Sequence, residues 1–258
     1  MAASADRRAS WVLTVLAVAL AATVAAAGLL ASMQGRLPML PPPQDALVRA
    51  TPPTAVRTAV ARSGDRTARL VVSLAWVADM ARRTGIPERT LQGYATADLL
   101  VSAERPGCHL GWPTLAAIGA VESAHGQFAG TTVRPDGRTS TPIIGVPLDG
   151  SEGVKAIQDT DQGRLDGDPR WDRAVGPMQF IPSTWAKWGA DGNGDGVADP
   201  DQIDDSALTA ARLLCAGGDD LSEASGWRRA VLRYNESASY ADLVLTKANG
   251  YAQASHTG

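Results

Sequence analysis

The chain opens on an uninterrupted apolar run. Residues 9–35 carry no charge, and residues 11–30 are almost all Ala, Val and Leu. About 20 apolar residues suffice to cross a bilayer as a helix, and Arg7 and Arg8 ahead of the run fit an N-terminus kept in the cytoplasm. Two readings stand. Residues 1–33 are a transmembrane anchor, or they are a signal peptide. A signal peptide has an apolar core of about 7–15 residues and a small-residue cut site, which Ala25 to Ala27 would supply. Either way the remainder is exported. The expected location is extracytoplasmic, anchored to the cell membrane through the N-terminal helix or secreted. No cysteine directly follows the run, which argues against a lipoprotein anchor.

Residues 34–65 hold Pro38, Pro41, Pro42, Pro43, Pro52 and Pro53 and show no amphipathic period, so they read as a Pro-rich linker. From residue 66 the pattern turns helical. Leu70, Leu74, Val77 and Met80 fall at i, i+4, i+7 and i+10, predicting a helix over 66–83 that Gly85 and Pro87 end. A second helix follows over 91–104. Pro113 suits the first turn of a third, running to Ala124 with Gly126 as its stop. Residues 127–175, rich in Gly, Asp, Thr and Pro, read as a long surface excursion. Helical patterns return over 183–188, 206–215, 226–235 and 239–251. No run alternates as a strand. The fold class expected is mainly α, with residues 66–258 as the exported domain.

Composition narrows the function. The 258 residues are 45% hydrophobic and 20% charged, enough for a packed core. Residues 1–92 carry 11 Lys and Arg against 5 Asp and Glu, and residues 93–258 carry 13 against 22. An acidic body is unsuited to nucleic acid, which needs clustered cations. Two cysteines exclude a zinc ribbon, and neither a Gly-x-Ser-x-Gly elbow nor a His-Glu-x-x-His motif is present. Cys108 and Cys215 either pair, as an exported protein permits, or stay as buried thiols. Trp112, Trp171, Trp185 and Trp188 are core residues or platforms for sugar rings.

Two patterns carry chemistry. Leu115, Ile118 and Val121 form the apolar stripe of the third helix, and Glu122 sits on its flank. A carboxylate at such an edge is partly desolvated, which raises its pKa toward that of a general acid. The run "DGNGDGVAD" from Asp191 places Asp191, Asn193 and Asp195 at positions 1, 3 and 5 of a calcium loop. Gly196 stands at 6, the Val197 carbonyl at 7 and Asp199 at 9. Position 12 is Gln202 rather than Glu, so Asp204 or Asp205 would close the loop.

"AIGAVESAHG", "AVGPMQFIPSTW" and "LRYNESASY", in this order, resemble the lytic murein transglycosylases of the membrane-bound branch with a lysozyme-like domain. The resemblance spans roughly residues 90–252. It implies a lysozyme-like transglycosylase domain whose substrate is the glycan strand of peptidoglycan. Glu122 would be the single catalytic acid/base, paired in sequence with Ser123. Gln179 would line the groove, with Met178 and Phe180 as substrate-site residues supporting that wall, and Tyr234 and Asn235 would face the carboxylate. The branch carries a similar calcium loop, whose closing acid Asp205 matches best. The reaction implied cuts the β-1,4 bond between N-acetylmuramic acid and N-acetylglucosamine, leaving a 1,6-anhydro end. Two alternatives remain open. Asp149, Asp159, Asp161, Asp166, Asp168 or Asp172 could supply a second carboxylate, making a muramidase that uses water, or the domain could bind glycan without catalysis.

Overall fold

The fold is built around a helix that is apolar on nearly every side. In the computed structural model, which describes residues 47–62, 65–151 and 153–257, this helix is α3 (Trp112–Ser123). Its Trp112, Leu115, Ala116, Ala117 and Ile118 are all buried. A helix that is apolar all round must be enclosed by others. Around it stand α1 (Leu74–Thr84), α2 (Glu88–Glu104), α4 (Pro182–Trp188), α5 (Ile203–Leu214), α6 (Ala224–Tyr234) and α7 (Ala238–Ala254). The main packing pairs are α2 with α5 and α3 with α7. Pro113 occupies the first turn of α3 as expected, because its missing N–H has no partner to lose there. Gly119 admits the Tyr94 hydroxyl from α2, which lies 1.8 Å from where a Cβ would stand.

Two antiparallel pairs complete the described residues. Strands β1 (Ala55–Arg62) and β2 (Asp65–Val72) pair from Ala55 with Val72 to Arg62 with Asp65. Strands β3 (Ile144–Pro147) and β4 (Arg173–Val175) pair within the excursion. The expectation of no strands is therefore corrected, as is the helix over 66–83: residues 66–72 are strand and α1 starts at Leu74. The apparent helical stripe was coincidental. Leu74 is 67% exposed, and the buried face of α1 is Trp76, Val77 and Met80.

Part of the segment expected as linker is bonded to the helices. The Val48 N–H donates to Asn249 Oδ1 (2.9 Å) and the Thr51 N–H to Ser255 Oγ (2.9 Å). Trp112 Nε1 donates to the Thr51 carbonyl (3.0 Å). Val48 and Thr51 are thus tied to the helices by hydrogen bonds. The expected membrane or signal segment and the first part of the linker lie outside the described residues, among which no helix is long and apolar enough to cross a membrane. Cys108 and Cys215 pair, with Cα atoms 5.6 Å apart. The bond ties the segment entering α3 to the end of α5.

Candidate active site

Glu122 lies in the last turn of α3, which ends in three left-handed residues: Ala124 (φ 51°), His125 (φ 65°) and Gly126 (φ 79°). That sharp exit leaves the carboxylate at the mouth of a cleft of about 610 Å³. Gln179, Phe180, Tyr234 and Asn235 line the same cleft, so the structure brings these expected site residues together. Leu148 and Ala174 add a wall from the excursion, and Ser183, Thr184, Lys187 and Trp188 add one from α4.

Ser123 and Met178 are exceptions. Ser123 is buried. Its Oγ donates to the Pro177 carbonyl (2.6 Å) and accepts from the Gly126 N–H (2.8 Å). It fastens the end of α3 to the turn that carries Gln179 and does not reach substrate. Met178 is also fully buried, and its carbonyl accepts the Tyr234 hydroxyl at 2.6 Å. It holds the wall from behind.

The turn itself is tight. Val175 and Phe180 exchange backbone hydrogen bonds of 2.8 and 3.0 Å around residues 176–179. Gly176 (φ 76°) is required there, since a Cβ would lie 1.9 Å from the Pro200 carbonyl oxygen. Gln179 takes a left-handed φ of 50°, a conformation that costs a non-glycine residue about 1–3 kcal/mol. Its amide Nε2 donates to the Gly176 carbonyl (2.9 Å) and the Ile143 carbonyl (3.2 Å), which fixes the side chain along the cleft wall.

Burial lifts the Glu122 carboxyl from its ordinary 4.5 to about 7, while a hydrogen bond from Tyr240 pulls more weakly in the opposite direction. The Tyr240 hydroxyl donates to Glu122 Oε1 at 2.5 Å. Tyr240 is thus a site residue that the sequence reading passed over, although it ends the quoted segment "LRYNESASY". Its signal was Ser237, whose hydroxyl caps α7 by accepting the Tyr240 N–H (3.3 Å) and so sets Tyr240 in the first turn of the helix packed on α3. Tyr234 lines the cleft but spends its hydroxyl on Met178. Asn235 ends α6, with Oδ1 accepting the Ser237 N–H (3.1 Å).

Among the described residues Glu122 is the only acid lining this cleft. None of the six aspartates weighed as a second carboxylate lines it. Asp159 accepts the N–H groups of Asp161, Gln162 and Gly163. Asp161 accepts those of Arg164 and Leu165. Asp166 takes Asp168 and Arg173, and Asp149 takes Ser151. Asp168 clamps the Arg173 guanidinium, and buried Asp172 binds the N–H and hydroxyl of Thr160. These acids order the loop through bonds to its own backbone and side chains.

The loop from Asp191 curls as its spacing requires. Asp191 Oδ1 accepts the Gly194 N–H (2.5 Å) and Oδ2 the Gly196 N–H (2.8 Å). Asn193 Nδ2 donates to Asp195 Oδ2 (2.9 Å), and Val197 is exposed. Asp205, the expected closing acid of the loop, bonds to the loop backbone. It is buried, with Oδ1 on the N–H groups of Gly192 (2.7 Å) and Asn193 (3.0 Å) and Oδ2 on that of Asp199 (2.9 Å). Gln202 caps α5 by accepting the Asp204 N–H. Among the described residues no group of three or more His, Cys, Asp or Glu is gathered to hold a metal. Asp191, Asn193 and Asp195 still offer the hard oxygen donors that calcium takes.

The body is mainly helical, and among the described residues Glu122 is the one acid lining its cleft. Residues 154–231 match the family described as "Transglycosylase SLT domain". The matched segment holds the Gln179 turn, the loop from Asp191 and Cys215, while Glu122, Tyr234 and Asn235 lie outside it. Over these residues the match agrees with the transglycosylase family and the enzyme class read from the sequence, a peptidoglycan lytic transglycosylase; it does not bear on the membrane-bound branch or its calcium loop. No curated protein sequence matches the chain. The chain is similar to the solved Escherichia coli lytic transglycosylase SLT35 in complex with bulgecin A: 15% identity, 71% of this chain, 79% of that one, TM-score 0.42. Similarity to SltB3 from Pseudomonas aeruginosa in complex with NAG-anhNAM-pentapeptide gives 16%, 68%, 66% and 0.39. For SLT35 in complex with calcium the values are 14%, 71%, 80% and 0.41.

Proposed function

We propose that the chain cleaves the β-1,4 bond between N-acetylmuramic acid and N-acetylglucosamine, with Glu122 as its single acid/base in a lysozyme-like cleft. One observation carries the reading: a lone carboxyl, raised to about 7, in a cleft without a second acid. Protonated Glu122 donates to the leaving glycosidic oxygen. The resulting carboxylate then takes the proton from the C6 hydroxyl of the muramoyl residue, whose oxygen attacks C1 and closes the 1,6-anhydro ring. No water is consumed. Ordinary glycosidases need a second carboxylate, about 5–5.5 Å away when retaining or about 6.5–9.5 Å when inverting. Here the nucleophile belongs to the substrate, so one group suffices. Tyr240 orients the carboxyl and steadies its charged form after proton transfer.

The test is product mass from peptidoglycan treated with the full chain, with Glu122→Gln as control. Products one water lighter than hydrolytic ones, and resistant to borohydride, are expected. Reducible muramoyl ends would refute the single-carboxylate mechanism.

Calcium belongs to the same proposal. It would be held by Asp191, Asn193, Asp195 and the Val197 carbonyl, with Asp205 ordering the backbone behind them. When bound it would supply structural cross-linking of the loop. Equal melting temperatures in calcium and in chelator would remove it. The apolar residues 11–30 would keep the enzyme at the membrane or export it.

A further inference from the structure

The cleft is unbalanced in charge. Against Glu122 stand two cations that line it, Lys187 on α4 and Arg233 on α6. Lys187 is exposed and has no carboxylate partner among the described residues. Its ammonium lies 5.3 Å from the centre of the Trp188 ring, a contact that holds the long side chain over the indole instead of leaving it free in solvent. Arg233 is held by Asp219 Oδ2 (2.8 Å). Arg229 uses the other oxygen of Asp219 (2.8 Å), so one carboxylate serves two guanidinium groups and positive charge remains in excess.

The sugar rings of a glycan strand are neutral and give these cations nothing to bind. Carboxylates arise only on the muramoyl arm: at the lactyl group when it is bare, or along the peptide when a stem is attached. The lactyl group offers one carboxylate close to the ring. A stem offers several on a flexible chain, which suits two cations carried by different helices, and Trp188 and Leu213 add apolar surface for its alkyl groups.

The geometry points to Lys187 and Arg233 as a receptor for stem-peptide carboxylates, so that the enzyme selects strands still bearing peptides over stripped ones. This rests on the reading of the cleft as a glycan-cleaving site. The experiment compares full-length wild type, Lys187→Gln and Lys187→Arg on peptide-bearing and amidase-stripped strands, counting anhydro ends and separating kcat from KM. Wild type should favour peptide-bearing strands. Lys187→Gln should lower that kcat/KM ratio about fivefold, the scale of one exposed ionic contact. The loss should lie in KM and shrink with added salt, and Lys187→Arg should restore most of it. An unchanged ratio in Lys187→Gln, or a loss confined to stripped strands, overturns the inference while leaving glycan cleavage intact. No anhydro ends from either substrate in wild type would overturn the cleavage reading, and the inference with it.

Discussion

Replacing Glu122 by Gln should make the protein more stable at alkaline pH while abolishing turnover. Folding moves the carboxyl from an ordinary 4.5 to about 7, so the folded state holds the proton more tightly than the unfolded chain. The stability contributed by the protonated acid is full below about pH 4.5 and is lost as pH rises through about 7. The rise corresponds to about 3 kcal/mol between the two protonation states, of which about 2.5 kcal/mol falls between pH 5 and pH 8. Gln has the same shape, carries no charge and can still accept the Tyr240 hydroxyl through its amide oxygen. The difference in unfolding free energy between variant and wild type should therefore grow by about 2.5 kcal/mol from pH 5 to pH 8. For a domain of this size that is about 5–10 °C in melting temperature. Urea titrations of both proteins at each pH isolate the effect, because every other titrating group cancels in the difference. A difference that stays constant across this range would show that Glu122 is not desolvated, and the argument for its acid role would fall with it.

Tyr240→Phe removes the donor that steadies the charged carboxylate, so the alkaline limb of the kcat/KM profile should move up by about one pH unit; an unmoved limb would detach Tyr240 from the chemistry. Cys215→Ser opens a cross-link spanning 107 residues and should cost about 2–4 kcal/mol in urea unfolding under oxidising conditions. Under reducing conditions the variant and wild type should converge, and a gap that persists there would assign the loss to packing.

Helices were legible where apolar period and punctuation agreed. For α3 the expected limits differ from the observed Trp112–Ser123 by one residue at each end, because Pro113 and the turn at Ala124 to Gly126 mark both ends chemically. The β1–β2 hairpin was hidden because Leu70 and Leu74 happened to match the spacing of Val77 and Met80, and only burial separates that coincidence from a true face. Site residues divided along similar lines. Glu122 and Gln179, singled out from motifs, line the cleft, while their neighbours Ser123 and Met178 are buried behind it. On a helix of 3.6 residues per turn, consecutive side chains point about 100° apart, so a neighbour in sequence is generally not a neighbour in the cleft. Tyr240 was missed for the converse reason, since its contact with Glu122 spans 118 positions.

The aspartates of residues 149–172 show how the same residue type separates into two roles. Read as a list, these six aspartates between Glu122 and Gln179 invite a second catalytic carboxylate, though Asp136 and Glu152 lie in the same interval. Read as a loop, they answer a different need. A long excursion with few apolar side chains must satisfy its own backbone N–H groups, and Asp does so locally by accepting bonds two to four residues ahead. Asp159 alone accepts three, and burial of Asp172 is compensated by the N–H and hydroxyl of Thr160. Backbone N–H donors hold the carboxyls of Asp149, Asp159 and Asp168 below the ordinary carboxylate range. Glu122 has the opposite surroundings: one hydroxyl donor and an apolar flank. Glu122 is set apart from these loop acids by burial beside a single hydroxyl donor, which raises its carboxyl instead of lowering it.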